Sequence, residues 1–267
     1  MEKIKPLKRF GQNYISDQNI LNNIVKEINP QIDDNLIEIG PGLGSLTKRL
    51  VTYTPAFTAI EIDNRVIENL VQKFPGVNLI NDDFLNIDLS KLYNNSKNKL
   101  RIVGNIPYNL TSPIIFKMIE NNSMISDSVI MVQAEVAQRM TAKKGSKDYG
   151  ILSVLLNYFS DVKFCFRVSP NVFFPPPKVF SSVVHIFFKE LQDTKEEQVY
   201  FIKTVKAAFG NRRKTLKNSL SNNPATSCVK DVDFKPSGIN LSLRAEQLDV
   251  DDFKKLSNYI FKKPNIE

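Results

Sequence analysis

As far as Phe188 the chain alternates short apolar runs rich in β-branched and aromatic residues with segments whose apolar positions recur every three to four residues. That alternation is the signature of βαβ units. The runs Leu36–Ile39, Phe57–Ile62, Val77–Asn81, Leu100–Gly104, Ser128–Val132, Asp161–Val168 and Ser182–Phe188 predict seven strands of one doubly wound sheet. Helices are predicted at Asn19–Ile28, Leu46–Val51, Asn64–Lys73, Pro113–Glu120, Glu135–Thr141 and Gly150–Phe159, the last two separated by the polar loop Ala142–Tyr149. Ser112 is placed to cap the fourth of these, with Pro113 suited to its first turn. After Phe188 the strand pattern stops, and Glu196–Phe209, Thr215–Leu220 and Asp251–Phe261 have helical spacing. The expected architecture is therefore α/β, a Rossmann-like seven-strand sheet over residues 1–189 followed by a small all-α domain over 190–267. No internal repeat or long linker interrupts it.

Composition narrows the function classes. A chain of 267 residues with 42% hydrophobic content is ample for a core. The segment Met1–Lys5 has no apolar stretch of signal-peptide length, and Ile151–Phe159, the longest apolar patch, is too short to span a bilayer, so a soluble cytoplasmic protein is expected. Cys165 and Cys228 are far apart and His185 is the single histidine, which argues against a metal centre or a disulfide framework. Both Cys165 and His185 are expected to pack in or beside the sheet. The net charge of +8 is compatible with an anionic partner. Its distribution says more: no acidic residue occurs between Gln198 and Val229, where Lys203, Lys206, Arg212, Arg213, Lys214 and Lys217 all lie.

The segment Leu36-Ile37-Glu38-Ile39-Gly40-Pro41-Gly42-Leu43-Gly44 runs an apolar strand into a glycine turn that opens a helix. Such glycines let backbone amides approach a ligand at the carboxyl edge of a parallel sheet. A dinucleotide fingerprint would need a third glycine at position 45, which is Ser45, so the spacing argues against nicotinamide or flavin cofactors. Glu61 at the end of the second strand is placed to accept from both ribose hydroxyls of a nucleoside. Asp82 or Asp83, at the end of the third, is placed to accept from an adenine amine.

Asn105-Ile106-Pro107-Tyr108 follows the fourth strand directly. An adenine amine is a poor nucleophile because its lone pair is delocalised into the ring, so a site that methylates it must draw its hydrogens out of the ring plane and aim the nitrogen at a sulfonium methyl. The Asn105 side-chain oxygen and the Ile106 carbonyl can accept those two hydrogens, Pro107 fixes the chain direction, and Tyr108 offers a stacking face. No strong base is required, because the amine becomes acidic as the methyl arrives.

With these residues in place the chain resembles the ribosomal RNA adenine N6-dimethyltransferase family, and within it the bacterial small-subunit enzymes. The resemblance spans nearly the whole length: Arg9-Phe10-Gly11-Gln12-Asn13-Tyr14, Gly40-Pro41-Gly42, Asn105–Tyr108, Phe174-Pro175-Pro176-Pro177-Lys178-Val179 with Ser181, and Phe209-Gly210-Asn211-Arg212-Arg213-Lys214-Thr215-Leu216 with Asn218 and Leu220. It implies S-adenosyl-L-methionine as cofactor, held by Asn13, Ile15, Gly40, Gly42, Glu61, Asp83 and Asn105. It also implies a flipped-out target adenine between Tyr108 and Phe173, although Phe173 reads equally as a core residue. The implied reaction is double methylation of N6 on each of two adjacent adenosines in a hairpin near the 3′ end of small-subunit (16S) rRNA, carried out by a monomer on a nearly mature particle. Lys8, Arg9, Lys143, Lys144, Lys147, Arg212, Arg213, Lys214 and Lys217 are the expected RNA-backbone contacts. Tyr14 stands where the family often has Phe, and Ile106 where bacterial members usually have Leu. Three rivals share the fold: a large-subunit rRNA adenine methyltransferase of the antibiotic-resistance type, an RNA-binding assembly factor with incidental methylation, and a mitochondrial relative with a transcription role. The first and last motifs argue against the large-subunit enzyme, the intact Asn105, Tyr108 and Glu61 against an inactive assembly factor, and the lack of an Arg- and Ser-rich transit segment against the mitochondrial relative.

Overall fold

The computed structural model describes residues 6–7, 11–93, 98–211, 213–231, 234 and 237–261. Lys8, Arg9 and Arg212, three of the expected RNA contacts, lie outside the described residues.

The strands are β1 (Tyr14–Ile15), β2 (Asn35–Ile39), β3 (Thr58–Ile60), β4 (Asn78–Ile80), β5 (Leu100–Asn105), β6 (Ile125–Gln133), β7 (Ser160–Val168), β8 (Phe173–Phe174) and β9 (Ser181–Phe188). Seven of them form one sheet in the order β4-β3-β2-β5-β6-β9-β7. The first four pairings are parallel, while β6/β9 and β9/β7 are antiparallel, so the sheet is mixed rather than built from βαβ units throughout. Leu36, Ile37, Ile39, Ile102, Val103, Val129, Ile130, Met131 and Val132 are all buried, which is why these central strands read as continuous apolar runs. A separate pairing of β1 with β8 sets Tyr14 opposite Phe174 and Ile15 opposite Phe173. Two residues on each side are too few for a periodic signal, and the sequence gives no warning of it.

The helices are α1 (Gln18–Ile28), α2 (Thr47–Leu50), α3 (Asn64–Lys73), α4 (Leu89–Tyr93), α5 (Thr111–Glu120), α6 (Ala134–Met140), α7 (Ile151–Phe159), α8 (Lys195–Ala208), α9 (Leu216–Ser221) and α10 (Val250–Phe261). Asp17 caps α1 by accepting from the Ile20 N–H, and Asp63 caps α3 by accepting from the Arg65 N–H. Ser112 does not cap α5. A 3-10 turn at Tyr108–Leu110 runs straight into that helix, which begins at Thr111 with no side-chain cap.

The chain divides into two compact units, 1–137 with 160–189, and 138–159 with 190–267. The boundary expected after 189 therefore needs correction: the segment 138–159, inserted between strands of the sheet, belongs to the second unit. Its aromatic packing explains this, since Tyr158 on α7 stacks on Phe201 of α8 at 4.0 Å and donates its hydroxyl to Asp193 at 2.8 Å. Tyr149 likewise donates to the Leu248 carbonyl at 2.9 Å. No helix among the described residues is long and apolar enough to cross a membrane.

Candidate active site at the carboxyl edge of the sheet

The strand order reverses at β2/β5, and in an open α/β sheet that switch point leaves a crevice at the carboxyl ends of the two strands. Gly40 leaves β2 with φ +66°, and Gly42 follows with φ +55°, a region that glycine enters without steric cost. A Cβ on Gly40 would project into open space with nothing within 4 Å, whereas one on Gly42 would meet Cε1 of Tyr14 at 2.8 Å. The first glycine therefore keeps the crevice open, and the second lets the Tyr14 ring lie on the turn.

Glu61, immediately beyond β3, ties the turn to the next strand end. Its Oε2 accepts from the Gly42 N–H and its Oε1 from the Asp63 N–H, each at 2.9 Å. Burial pushes this carboxyl up, opposed by those backbone bonds. A carboxylate has about four lone-pair sites, so roughly two remain for a ligand. Asp63 is held down at about 2, chiefly by Arg65, and it also accepts from Gln12 Nε2 at 2.8 Å. Through Gln12, the strand ends grip the segment before β1. Asp83 borders the same crevice and caps the turn Phe84–Asn86 by accepting from the Leu85 N–H.

Asn105 is the last residue of β5, and its Nδ2 donates to the Asn13 carbonyl at 2.7 Å. Only the amide nitrogen can donate to a carbonyl, so this bond fixes the amide orientation and leaves Oδ1 as the unspent acceptor. The Ile106 side chain is buried and anchors the peptide. Pro107 accepts from the Leu110 N–H and starts the 3-10 turn that carries Tyr108. The Tyr108 hydroxyl is 2.7 Å from Ser181 Oγ on β9, which orients the ring. Gly11, at φ +61°, sits so close that a Cβ would be 3.2 Å from Asn109 Oδ1 and 3.4 Å from Pro107 Cβ.

Asn13, Gly40, Gly42, Glu61, Asp83, Asn105, Ile106, Pro107 and Tyr108 all line one cavity of about 740 Å³. Ile15 lines a second cavity, of about 520 Å³, which shares Tyr14, Gly40 and Asn105 with the first. That second cavity also contains Glu38, a fully buried carboxyl accepting from Thr47 Oγ1 at 2.7 Å and pushed by burial up to about 8. The Tyr14 hydroxyl is buried without a hydrogen-bond partner, and burial together with Asp63 and Glu61 pushes it up to about 12.

Phe173 borders neither cavity. It is 4% exposed and packs in the core with Ile15 and Val168, while Phe174 is 66% exposed. Successive side chains of a strand face opposite ways, and the β1/β8 pairing turns Phe173 inward and Phe174 outward. The expected role of Phe173 as an open stacking face is therefore corrected.

Lys143, Lys144, Lys147, Arg213, Lys214 and Lys217 are exposed residues of the second unit. Lys144 is not an unneutralised cation, since it pairs with Asp249 at 3.1 Å and Asp252 at 3.4 Å. His185 and Cys165 lie on sheet strands, His185 Nε2 being 2.7 Å from Asp127 Oδ2. Among the described residues no group of three or more His, Cys, Asp or Glu side chains could hold a metal ion. Sequence reasoning gave no role to Gln12, Asp63 and Ser181. Gln12 and Ser181 fall within the recognised motifs, but their partners lie 51 and 73 residues away.

The family model described as ribosomal RNA adenine dimethylase matches residues 3–262. A ribosomal RNA small subunit methyltransferase A from Francisella tularensis subsp. novicida is 39% identical over 263 residues, covering 97% of this chain and 98% of the relative. One of the same name from Chlorobium phaeobacteroides is 43% identical over 249 residues, covering 93% and 91%. Among solved structures, a dimethyladenosine transferase from Plasmodium falciparum superposes with TM-score 0.72 at 25% identity, covering 91% of this chain and 95% of that one. The 23S rRNA methyltransferase ErmE superposes with TM-score 0.65 at 23% identity, a likeness of fold.

Proposed function

From the premise that the chain belongs to the ribosomal RNA adenine dimethylase family, as an S-adenosylmethionine-dependent rRNA adenine dimethyltransferase, we propose that Asn105–Tyr108 is its catalytic segment and the 740 Å³ cavity its cofactor site. The single observation that carries this reading is the Asn105 bond to the Asn13 carbonyl, which leaves Oδ1 as a fixed acceptor at the carboxyl end of β5.

The residues present fit the cofactor. Gly40 fronts open space that any side chain would invade, Glu61 keeps acceptor capacity beside it, and the Tyr14 hydroxyl lacks a partner. Asn13, Ile15, Gly40, Gly42, Glu61, Asp83 and Asn105 would hold the group, which supplies an electrophilic methyl when bound. The chain's part is to position the target amine. Asn105 Oδ1 and the Ile106 carbonyl accept the two N6 hydrogens and draw the nitrogen lone pair out of conjugation, and the displaced proton leaves to water after transfer. Tyr108, oriented by Ser181, stacks on the extruded base, and Phe174 is the exposed ring on the neighbouring β8. After one methyl is added a single hydrogen remains for one acceptor, so a second transfer needs only a rotated amine.

The substrate we propose is a pair of adjacent adenosines in the 3′-terminal hairpin of 16S rRNA, within a pre-assembled small subunit, acted on by a metal-free monomer in the cytoplasm. The small-subunit names of the 39–43% identical relatives favour this over a large-subunit target. Lys143, Lys147, Arg213, Lys214 and Lys217 are the proposed backbone contacts of the second unit. Incubation with labelled S-adenosylmethionine and undermethylated small subunits, followed by mapping of the modified nucleotides, is expected to yield two adjacent N6,N6-dimethyladenosines. Label elsewhere, or none, overturns the reading.

A further inference from the structure

A second basic surface lies in the first unit, on the outer side of α1 and α2, where the two helices and their C-terminal extensions flank an open groove of about 1440 Å³. Its lining includes Lys26, Lys48 and Arg49 but no aspartate or glutamate. The Arg49 guanidinium donates to Asn22 Oδ1 at 3.0 Å, to the Ser45 carbonyl at 2.8 Å and to Gln18 Oε1, all neutral acceptors. The cation is therefore held rigidly with its charge uncompensated.

Nearby carboxylates are engaged elsewhere: Asp17 caps α1, Glu27 pairs with Lys163 at 2.7 Å, and Asp34 pairs with Arg101. Among the described residues no carboxylate pairs with Lys26, Lys48 or Arg49. Tyr53, at one wall, is 52% exposed and offers an aromatic face. Unpaired cations along a groove with an accessible aromatic ring are the features that hold a nucleic-acid strand, phosphates on the charges and a base on the ring.

Both walls lead away from the site proposed above. α1 begins three residues after Ile15, and α2 begins three residues after Gly44. α1 extends about 16 Å at helical rise, enough for several nucleotides of a strand running on from the target.

We propose that the α1/α2 groove binds the phosphate backbone of the rRNA substrate beyond the target adenosines, with Lys26, Lys48 and Arg49 as phosphate contacts and Tyr53 as a stacking platform. This rests on rRNA being the substrate, and it adds a contact surface separate from the basic residues of the second unit.

The test uses the full chain carrying Lys26→Gln and Lys48→Gln together, with undermethylated small subunits as the ligand. Removing two phosphate contacts is expected to weaken binding about 10-fold or more at low salt and to reduce the slope of log affinity against log salt by about 1.5. The dissociation constant for S-adenosylhomocysteine and the melting temperature are expected to stay at wild-type values, as is turnover at saturating subunits, while KM rises. In a separate variant, a photocrosslinking side chain introduced as Tyr53→p-benzoylphenylalanine is expected to label rRNA. Unchanged affinity and slope in the double variant, or crosslinks only to ribosomal proteins, overturns the groove. Failure of the wild-type protein to methylate small subunits would instead overturn the substrate reading beneath it.

Discussion

At the amino edge of the seven-stranded sheet, Arg101 donates two bonds to Asp127 at 2.8 and 2.9 Å, another to Asp34, and one to the Ile28 carbonyl at 2.6 Å, where it also meets the negative end of α1. His185 closes the group on Asp127. Burial alone would raise the Asp127 carboxyl, but its bonds to Arg101 and His185 hold it at about 2. At the carboxyl edge, Glu38 and Glu61 are equally buried, yet they are bonded only by a threonine hydroxyl and backbone amides, and both are pushed up. At the first edge these charges are matched within the chain, so the cluster serves the fold. The other holds buried acceptors with capacity to spare, an arrangement suited to a ligand that brings its own donors and positive charge, as S-adenosylmethionine does. Buried polarity by itself therefore marks no function, and the state of its pairing does.

The sharpest test of this contrast is Asn105→Ala, which should slow methyl transfer by about 100- to 1000-fold, the scale of losing one preorganised polar group, with the melting temperature little changed. Rates that fell only in proportion to the folded fraction would erase the distinction between the edges. Asp127→Ala should do the reverse. It is expected to cost about 3 kcal/mol of stability, the low end for breaking a buried pair because Arg101 keeps Asp34, and to leave the S-adenosylhomocysteine dissociation constant of the folded protein unchanged, as read from urea melts and calorimetry. The smallest effect, taken per pH unit, is one of pH. Glu38 ionises more readily unfolded than folded, so folding takes up a proton between pH about 4.5 and 8, and this group lowers stability as pH rises across that window. Glu38→Gln should flatten the stability-pH curve there by up to about 1.4 kcal/mol per pH unit. An unaltered curve would mean that Glu38 is ionised and matched like Asp127.

The carboxyl edge was largely legible in the sequence because its parts are local: a glycine turn after one strand, an acidic residue at the end of the next, and Asn105–Tyr108 after the strand that pairs with the first. The amino edge was not, since Asp34, Arg101, Asp127 and His185 are spread over 151 residues and carry no motif. The same limit explains Phe173 and Phe174, adjacent in sequence and apolar alike, where only the pairing with Tyr14–Ile15 decides which one turns inward. It also explains 138–159, read as two helices about a polar loop but joined to the second unit by Tyr158 stacking on Phe201, 43 positions later. Lys144 reads as a free cation until the acidic start of α10 comes beside it.

The contact between Asn105 and Asn13 spans 92 residues, Tyr14 pairs with Phe174, and Tyr108 waits on Ser181. During synthesis the first of these residues leaves the ribosome long before the last: the Asn13 contact can close once residue 105 is out, the Tyr14 pairing only past residue 174, and the Tyr108 contact only past residue 181. Competence thus arrives late, with the last of the three contacts. A prematurely ended chain that still contained the glycine turn, Glu61 and Asn105–Tyr108 could orient the amide through Asn13 but would lack Ser181 to hold the Tyr108 ring and β8 to pair with β1, so an incomplete copy is expected not to methylate rRNA.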